Sequence, residues 1–181
     1  MKLNNLVFLG FLVLLFSCSQ SEQRSKELTE LTETELKDSV YKLESNLLNQ
    51  NLKADIEIAK QLQEATNQYA ERFPESPNRE DILYKSVLAA RGMEKPYFAI
   101  QTLSKLIIEY PQSKHLVDYL YEKASIFDFQ LNAKEEAKKI YGQIVKDYPD
   151  NQWADDSKAR LETIDLSDDE LIKKFEQQNA Q

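Results

Sequence analysis

Residues Ala99–Pro111 read AIQTLSKLIIEYP, and the pattern returns 38 positions on as AKKIYGQIVKDYP at Ala137–Pro149. A weaker copy, LQEATNQYAERFP, occupies Leu62–Pro74, 37 positions before the first. In the last copy Ala137, Ile140, Tyr141, Ile144, Val145 and Tyr148 recur at i, i+3, i+4, i+7, i+8 and i+11, one stripe of a 3.6-residue helix. Ala99, Leu103, Leu106, Ile107 and Tyr110 hold these places in the middle copy. Each copy ends in an aromatic residue followed by proline. Proline lacks an N–H and restricts the residue before it, so each helix is predicted to stop there. Ser76, Ser113 and Asn151 stand two residues past the prolines and are predicted to cap the next helix. The repeating unit is therefore helix, short turn, helix, and the fold class is all-α, a short solenoid of antiparallel helix pairs.

Composition agrees. Among 181 residues there are only three Gly and five Pro, and Val, Ile and Thr are not gathered into alternating runs. The 23 basic and 31 acidic residues give a net charge of -8, with both signs interspersed. No basic stripe of the kind nucleic-acid binders carry is present, so no nucleic-acid partner is expected.

Working outward, Thr32-Glu33-Thr34-Glu35 has the spacing of a capping box ahead of Leu36, Val40, Leu43 and Leu47, which predicts a helix over Thr32–Asn49. Further helices are predicted over Ala54–Phe73, from Ser76-Pro77 to near Gly92, and over Pro96–Tyr110. Ser113 should cap a helix bearing Leu116, Leu120, Ala124 and Phe127, and Asn132 should cap Ala133–Tyr148. Ala154–Ile164 is expected to cover the open end. A second capping box, Ser167 to Glu170, introduces a last helix through about Phe175, and residues 177–181 should fray. The helical repeat domain spans residues 32–176.

The N-terminal segment carries an address. Met1–Ser17 is predicted to be an export signal, with Lys2 ahead of the apolar run Leu6–Phe16, which at 11 residues is too short to cross a bilayer. Leu15-Phe16-Ser17-Cys18 resembles the lipobox of bacterial lipoproteins, which implies cleavage before Cys18 and lipidation of its thiol; a plain secretory signal is the other reading. Cys18 is the only cysteine, so no internal disulfide is open to it. Residues 18–31 form the lipidated cysteine and a polar tether. Ser19, rather than Asp, follows the cysteine; by the same resemblance the expected location is the outer membrane, facing the periplasm.

The paired Ala99/Pro111 and Ala137/Pro149, with Leu103 and Tyr141 between, resemble the tetratricopeptide repeat. The longer period and the Tyr-Pro-x-Ser ending are similar to repeats of envelope lipoproteins in the outer-membrane β-barrel assembly group and of Tol-Pal-associated coordinators. In such repeats one edge of the first helix lines a concave groove. That implication places Asp81, Tyr84, Leu88 and Arg91, then Asp118, Tyr121, Ser125 and Asp128, on a groove for a protein or peptide partner. The alternative is a fixed structural subunit that uses its convex face or the terminal helix Ser167–Phe175. No catalytic constellation, phosphate loop or metal-ligand spacing is found, and the lone His115 lies in a predicted turn with a capping or solvated role. No enzyme activity, cofactor, metal or small-molecule substrate is expected.

Overall fold

The computed structural model describes residues 27–48 and 53–179. The predicted signal, Cys18 and the polar stretch to Lys26 lie outside the described residues, as do positions 180 and 181 at the end of the predicted fraying tail. The chain divides into two compact units, Met1–Met93 and Glu94–Gln181. In the first, a helical turn at 27–30 precedes α1 (Glu33–Ser45), α2 (Ile56–Arg72) and α3 (Arg79–Gly92). The second holds α4 (Pro96–Glu109), α5 (Leu116–Ser125), a π-helical segment (Ile126–Gln130), α6 (Lys134–Asp147), α7 (Gln152–Leu161) and α8 (Asp168–Asn179). No strand occurs among the described residues beyond an isolated bridge between Leu48 and Ala54.

The three aromatic–proline stops behave alike. Phe73, Tyr110 and Tyr148 each end a helix, at φ/ψ of -125/61, -125/56 and -134/51. These residues leave the helical region because the following proline excludes it. Each still donates its own N–H to the carbonyl four residues back, and its C=O accepts from Ser76, Ser113 or Asn151 at 3.0 to 3.2 Å. The turn is thus reproduced three times from the same local rule.

Helix starts follow the sequence less closely. Thr32 and Ser167 form the expected capping boxes with Glu35 and Glu170, and Asn151 accepts from the N–H of Trp153 at 3.0 Å. Pro96 opens α4 in the first turn, where its missing N–H costs nothing. Ser76 and Ser113, by contrast, sit two residues before the helical caps Asn78 and His115; their hydroxyls close short turns instead, accepting from the N–H of Asn78 and of His115. Asn132 makes no cap either. It supplies a left-handed backbone (φ 49), which asparagine tolerates, between the π-helical segment and α6. The last helix runs past Phe175 to Asn179, so residues 177–179 are helical rather than frayed.

Ser76 has a further use. Its hydroxyl and that of the buried Tyr69 both donate to Glu33, at 2.6 and 2.8 Å, joining the start of α1 to the end of α2. The Ser76 hydroxyl, then that of Tyr69, holds the Glu33 carboxyl below its ordinary value of 4.5. A depressed folded-state value contributes stability above the ordinary value that disappears as pH falls through the folded one. Glu33→Gln should therefore make the acid limb of stability against pH, followed by circular dichroism, shallower than in the wild type.

In the first unit the core gathers Leu36, Val40, Ala59, Leu62, Ala65, Tyr69, Ile82 and Ala89, with Leu28 and Leu47 at its margin. The second is built on Ala124, Ala137, Tyr141 and Ile164, and on Val117, Leu120 and Ile144. The predicted stripes are the buried faces: Ala99, Leu103 and Leu106, and Ala137, Tyr141 and Ile144, are wholly buried. Two glycines make opposite predictions. At Gly92 a Cβ would lie 3.1 Å from that of Ala54 and 3.3 Å from that of Ala59, whereas at Gly142, inside α6, it would meet nothing within 4 Å. Gly142→Ala should raise stability by about 0.5–1 kcal/mol through helix propensity. Gly92→Ala should lower it; urea midpoints moving in the same direction would refute the packing assigned to Gly92.

Candidate functional site

The predicted partner-binding residues fall into two strips, one in each unit. In the first unit, α1 and α3 are joined by a polar ladder. The Tyr41 hydroxyl donates to Asp81 at 2.7 Å, and Lys85 Nζ lies 2.7 Å from Glu44, 3.6 Å from Asp81 and 4.8 Å from the centroid of the Tyr41 ring. Lys85 is only 7% exposed. A buried ammonium is tolerated when carboxylates and an aromatic face replace its water, and these three groups do so. Chiefly through its bond to Asp81, the Tyr41 hydroxyl is pushed up to about 12, so it stays protonated and donating at neutral pH. Along the same strip Tyr84 and Leu88 are half-buried and Arg91 is exposed; Leu88 also packs on the core.

The second unit repeats the design between α5 and α7 with different chemistry. Trp153 Nε1 donates to Asp118 Oδ1 at 2.6 Å, and the other oxygen of Asp118 lies 3.0 Å from His115 Nδ1. Tyr121 stacks on Trp153, with centroids 4.2 Å apart and planes 18° from parallel, and its ring also meets Tyr141 at 5.8 Å. Burial, then the charge of Asp156, raises the Tyr121 hydroxyl above its ordinary value. Ser125 is half-buried, at the limit of hydrogen-bond reach from the Tyr141 hydroxyl.

Asp128 departs from its expected place on an exposed edge. It is 5% exposed and takes Arg160 in a bidentate pair, Nε to Oδ2 at 2.5 Å and Nη2 to Oδ1 at 2.9 Å. The π-helical segment carries it inward and leaves the adjacent Phe129 68% exposed, with the Arg160 guanidinium 4.8 Å from the Phe129 centroid. Its role is to tie the π-helical segment to α7. His115, expected to cap or to be solvated, stands at the N-cap position of α5 with a half-exposed side chain that meets Asp118 and makes no side-chain cap bond.

The structure therefore brings Asp81 and Asp118 together with residues the sequence reading did not single out: Tyr41, Glu44 and Lys85 in one unit, Trp153 and Arg160 in the other. One signal for them exists. In a helix-pair repeat successive first helices are neighbours, so polar or aromatic residues on α1 and α7 in register with the Asp81 and Asp118 strips are candidates for cross-helix ties. Among the described residues no group of three or more His, Cys, Asp and Glu is placed to hold a metal ion, and no helix is long and apolar enough to cross a membrane.

The tetratricopeptide repeat family matches residues 118–151, from Asp118 on α5 through α6 to Asn151. No curated protein matches the chain. The fold is accordingly an all-α, tetratricopeptide-like arrangement of antiparallel helix pairs, and repeats of this kind generally mediate protein–protein interaction.

Proposed function

We propose that the protein is a scaffold of the bacterial cell envelope, held to the outer membrane by lipid on Cys18, that takes a protein or peptide partner on the first-helix strips of its repeats and serves outer-membrane assembly. The observation that carries the binding role is the repeat at residues 118–151, whose first helix presents the half-exposed Tyr121 and Ser125 beside Trp153. Asp81, Asp118 and Asp128 are engaged in cross-helix bonds, so in this reading the partner meets the ring edges of Tyr121 and Trp153 together with Ser125, and in the first unit the strip that carries Tyr84, Leu88 and Arg91. The address rests on the sequence of the first 19 residues alone. Catalysis has no place in this reading.

A second reading has its own observation. Ile172 on α8 is 55% exposed, and α8 is tied back to the chain after α7 by Lys174 to Glu162 at 3.2 Å. An exposed terminal helix suits a fixed structural subunit. Photo-crosslinking in living cells from positions 91, 125 and 172 separates the two. A dominant envelope-protein adduct from 91 or 125, absent at 172, is expected; adducts from 172 alone would replace the scaffold by the structural subunit. Cys18→Ala should move the chain out of the membrane fraction, and retention there would overturn the anchor.

A further inference from the structure

We infer that the exposed face of α4 pairs with the same face of a second copy of this chain, the two helices antiparallel about a two-fold axis that passes between positions 102 and 103. The pairing rests neither on the partner proposed above nor on the lipid anchor. Tyr97 and Ile108, at 73% and 77%, are the most exposed large apolar side chains among the described residues. Single apolar side chains at a surface are ordinary. These two share a stripe: Tyr97, Gln101, Ser104 and Ile108 follow one another at intervals of four, three and four, the spacing of a helix-pairing seam. On its other side α4 buries Ala99, Thr102, Leu103 and Leu106 and packs on α5, so the seam stands opposite the packed side.

The order of residues along the stripe points to the occupant. About its midpoint Tyr97 exchanges with Ile108 and Gln101 with Ser104, so the stripe is complementary to itself when reversed. A two-fold pair therefore lays a tyrosine ring on an isoleucine at both ends and a long side chain against a short one in the middle. The Ser104 hydroxyl donates to the carbonyl of Ile100 at 2.7 Å, so burying it leaves no donor unsatisfied. Its oxygen can still accept from the Gln101 amide of the second copy.

Charge fixes the same direction. Lys95 stands at the start of α4 and Glu109 at its end, about four turns apart, both exposed and on one flank of the seam. Antiparallel pairing sets each lysine beside the glutamate of the second copy, whereas parallel pairing would set like charges together. Glu109 also lies 3.9 Å from Lys105 of its own helix, and a carboxylate can accept from both. One helix face per chain buries less than about 1,200 Å² in total, which makes the dimer a weak one that forms where the chain is concentrated.

Photo-crosslinking of the full chain in living cells, from a benzophenone amino acid at position 97, tests the pairing. The expected product is a covalent dimer linked to residues 104–109 of the second copy. Position 97 of one copy stands about 16 Å along the helices from position 97 of the other, beyond reach of the probe. Ile108→Asp should cut the dimer by about tenfold or more with helicity unchanged by circular dichroism. Lys95→Glu and Glu109→Lys should each cut it about threefold, and together they should restore it, which indiscriminate association would not do. Links confined to residues 97–101, an adduct with a different protein only, no covalent dimer, or charge variants that fail to rescue each other would overturn the pairing.

Discussion

Asp128→Ala should cost about 3 kcal/mol, because it strips the half-buried Arg160 guanidinium of its partner and leaves the charge in place. The Asp128 side chain is 2% exposed and that of Arg160 25%, so water can compensate only part of the loss. Tyr141 adds to the effect: its hydroxyl, pushed up to about 12 mainly by burial, stays protonated and points at Asp128 from 3.4 Å. The Arg160→Met change in the Asp128→Ala background should recover a good part of the loss, since the uncompensated charge is then gone and an unbranched apolar chain covers the same surface. Urea unfolding of the wild type, both single variants and the double variant closes a cycle in which a coupling above about 1 kcal/mol is expected for residues in direct contact. A single-variant cost below that figure would mean that the pair contributes nothing beyond packing.

Tyr69→Ala should be the most damaging change in the first unit, at about 3–5 kcal/mol for a wholly buried aromatic. The ring lies 5.2 Å from that of Phe73 and fills the core beneath the first aromatic–proline stop, so its removal leaves a cavity that α2 cannot close alone. Tyr69→Phe keeps the ring and deletes only the hydroxyl that donates to Glu33, for which about 1 kcal/mol is expected. Measured side by side by urea unfolding, the two substitutions divide packing from hydrogen bonding. Equal costs would show that the bond to Glu33, not the ring, carries the stability. The Phe variant should also shallow the acid limb of the pH profile in the direction predicted for Glu33→Gln, because it removes one of the two hydroxyls that hold that carboxylate ionised.

These two sites also mark how far the sequence could be read. Tyr69 is legible as core, since it lies on the apolar stripe of the copy ending at Pro74. That its hydroxyl reaches Glu33, 36 positions away, is not. Asp128 was placed with the groove residues because it continues the line Asp118, Tyr121, Ser125, which presumes an unbroken α-helix. The π-helical segment at Ile126–Gln130 breaks that presumption and turns the carboxylate inward to Arg160, 32 positions on. Lys85 illustrates the same limit. As a lysine between Tyr84 and Ser86 it reads as a solvated charge, and its burial follows only from the approach of Glu44 and Tyr41 on another helix.

What the sequence by itself determined is whatever acts within a few residues. The helix stops at Phe73, Tyr110 and Tyr148 follow from the proline after each, the starts at Thr32 and Ser167 from side chains three residues from their partners, and the buried stripes from the 3.6-residue period. What only the tertiary structure decided is the use of each polar group whose partner lies tens of residues away. Ser76 and Ser113 cap nothing, Asp81 and Asp118 are ties between helices before they are anything else, and Arg72 reaches back to Leu28 and Leu31. The physical reason is that a hydrogen-bonding side chain is satisfied by whichever group packing brings within 3 Å, and a one-dimensional pattern records which groups are present but not which of them meet.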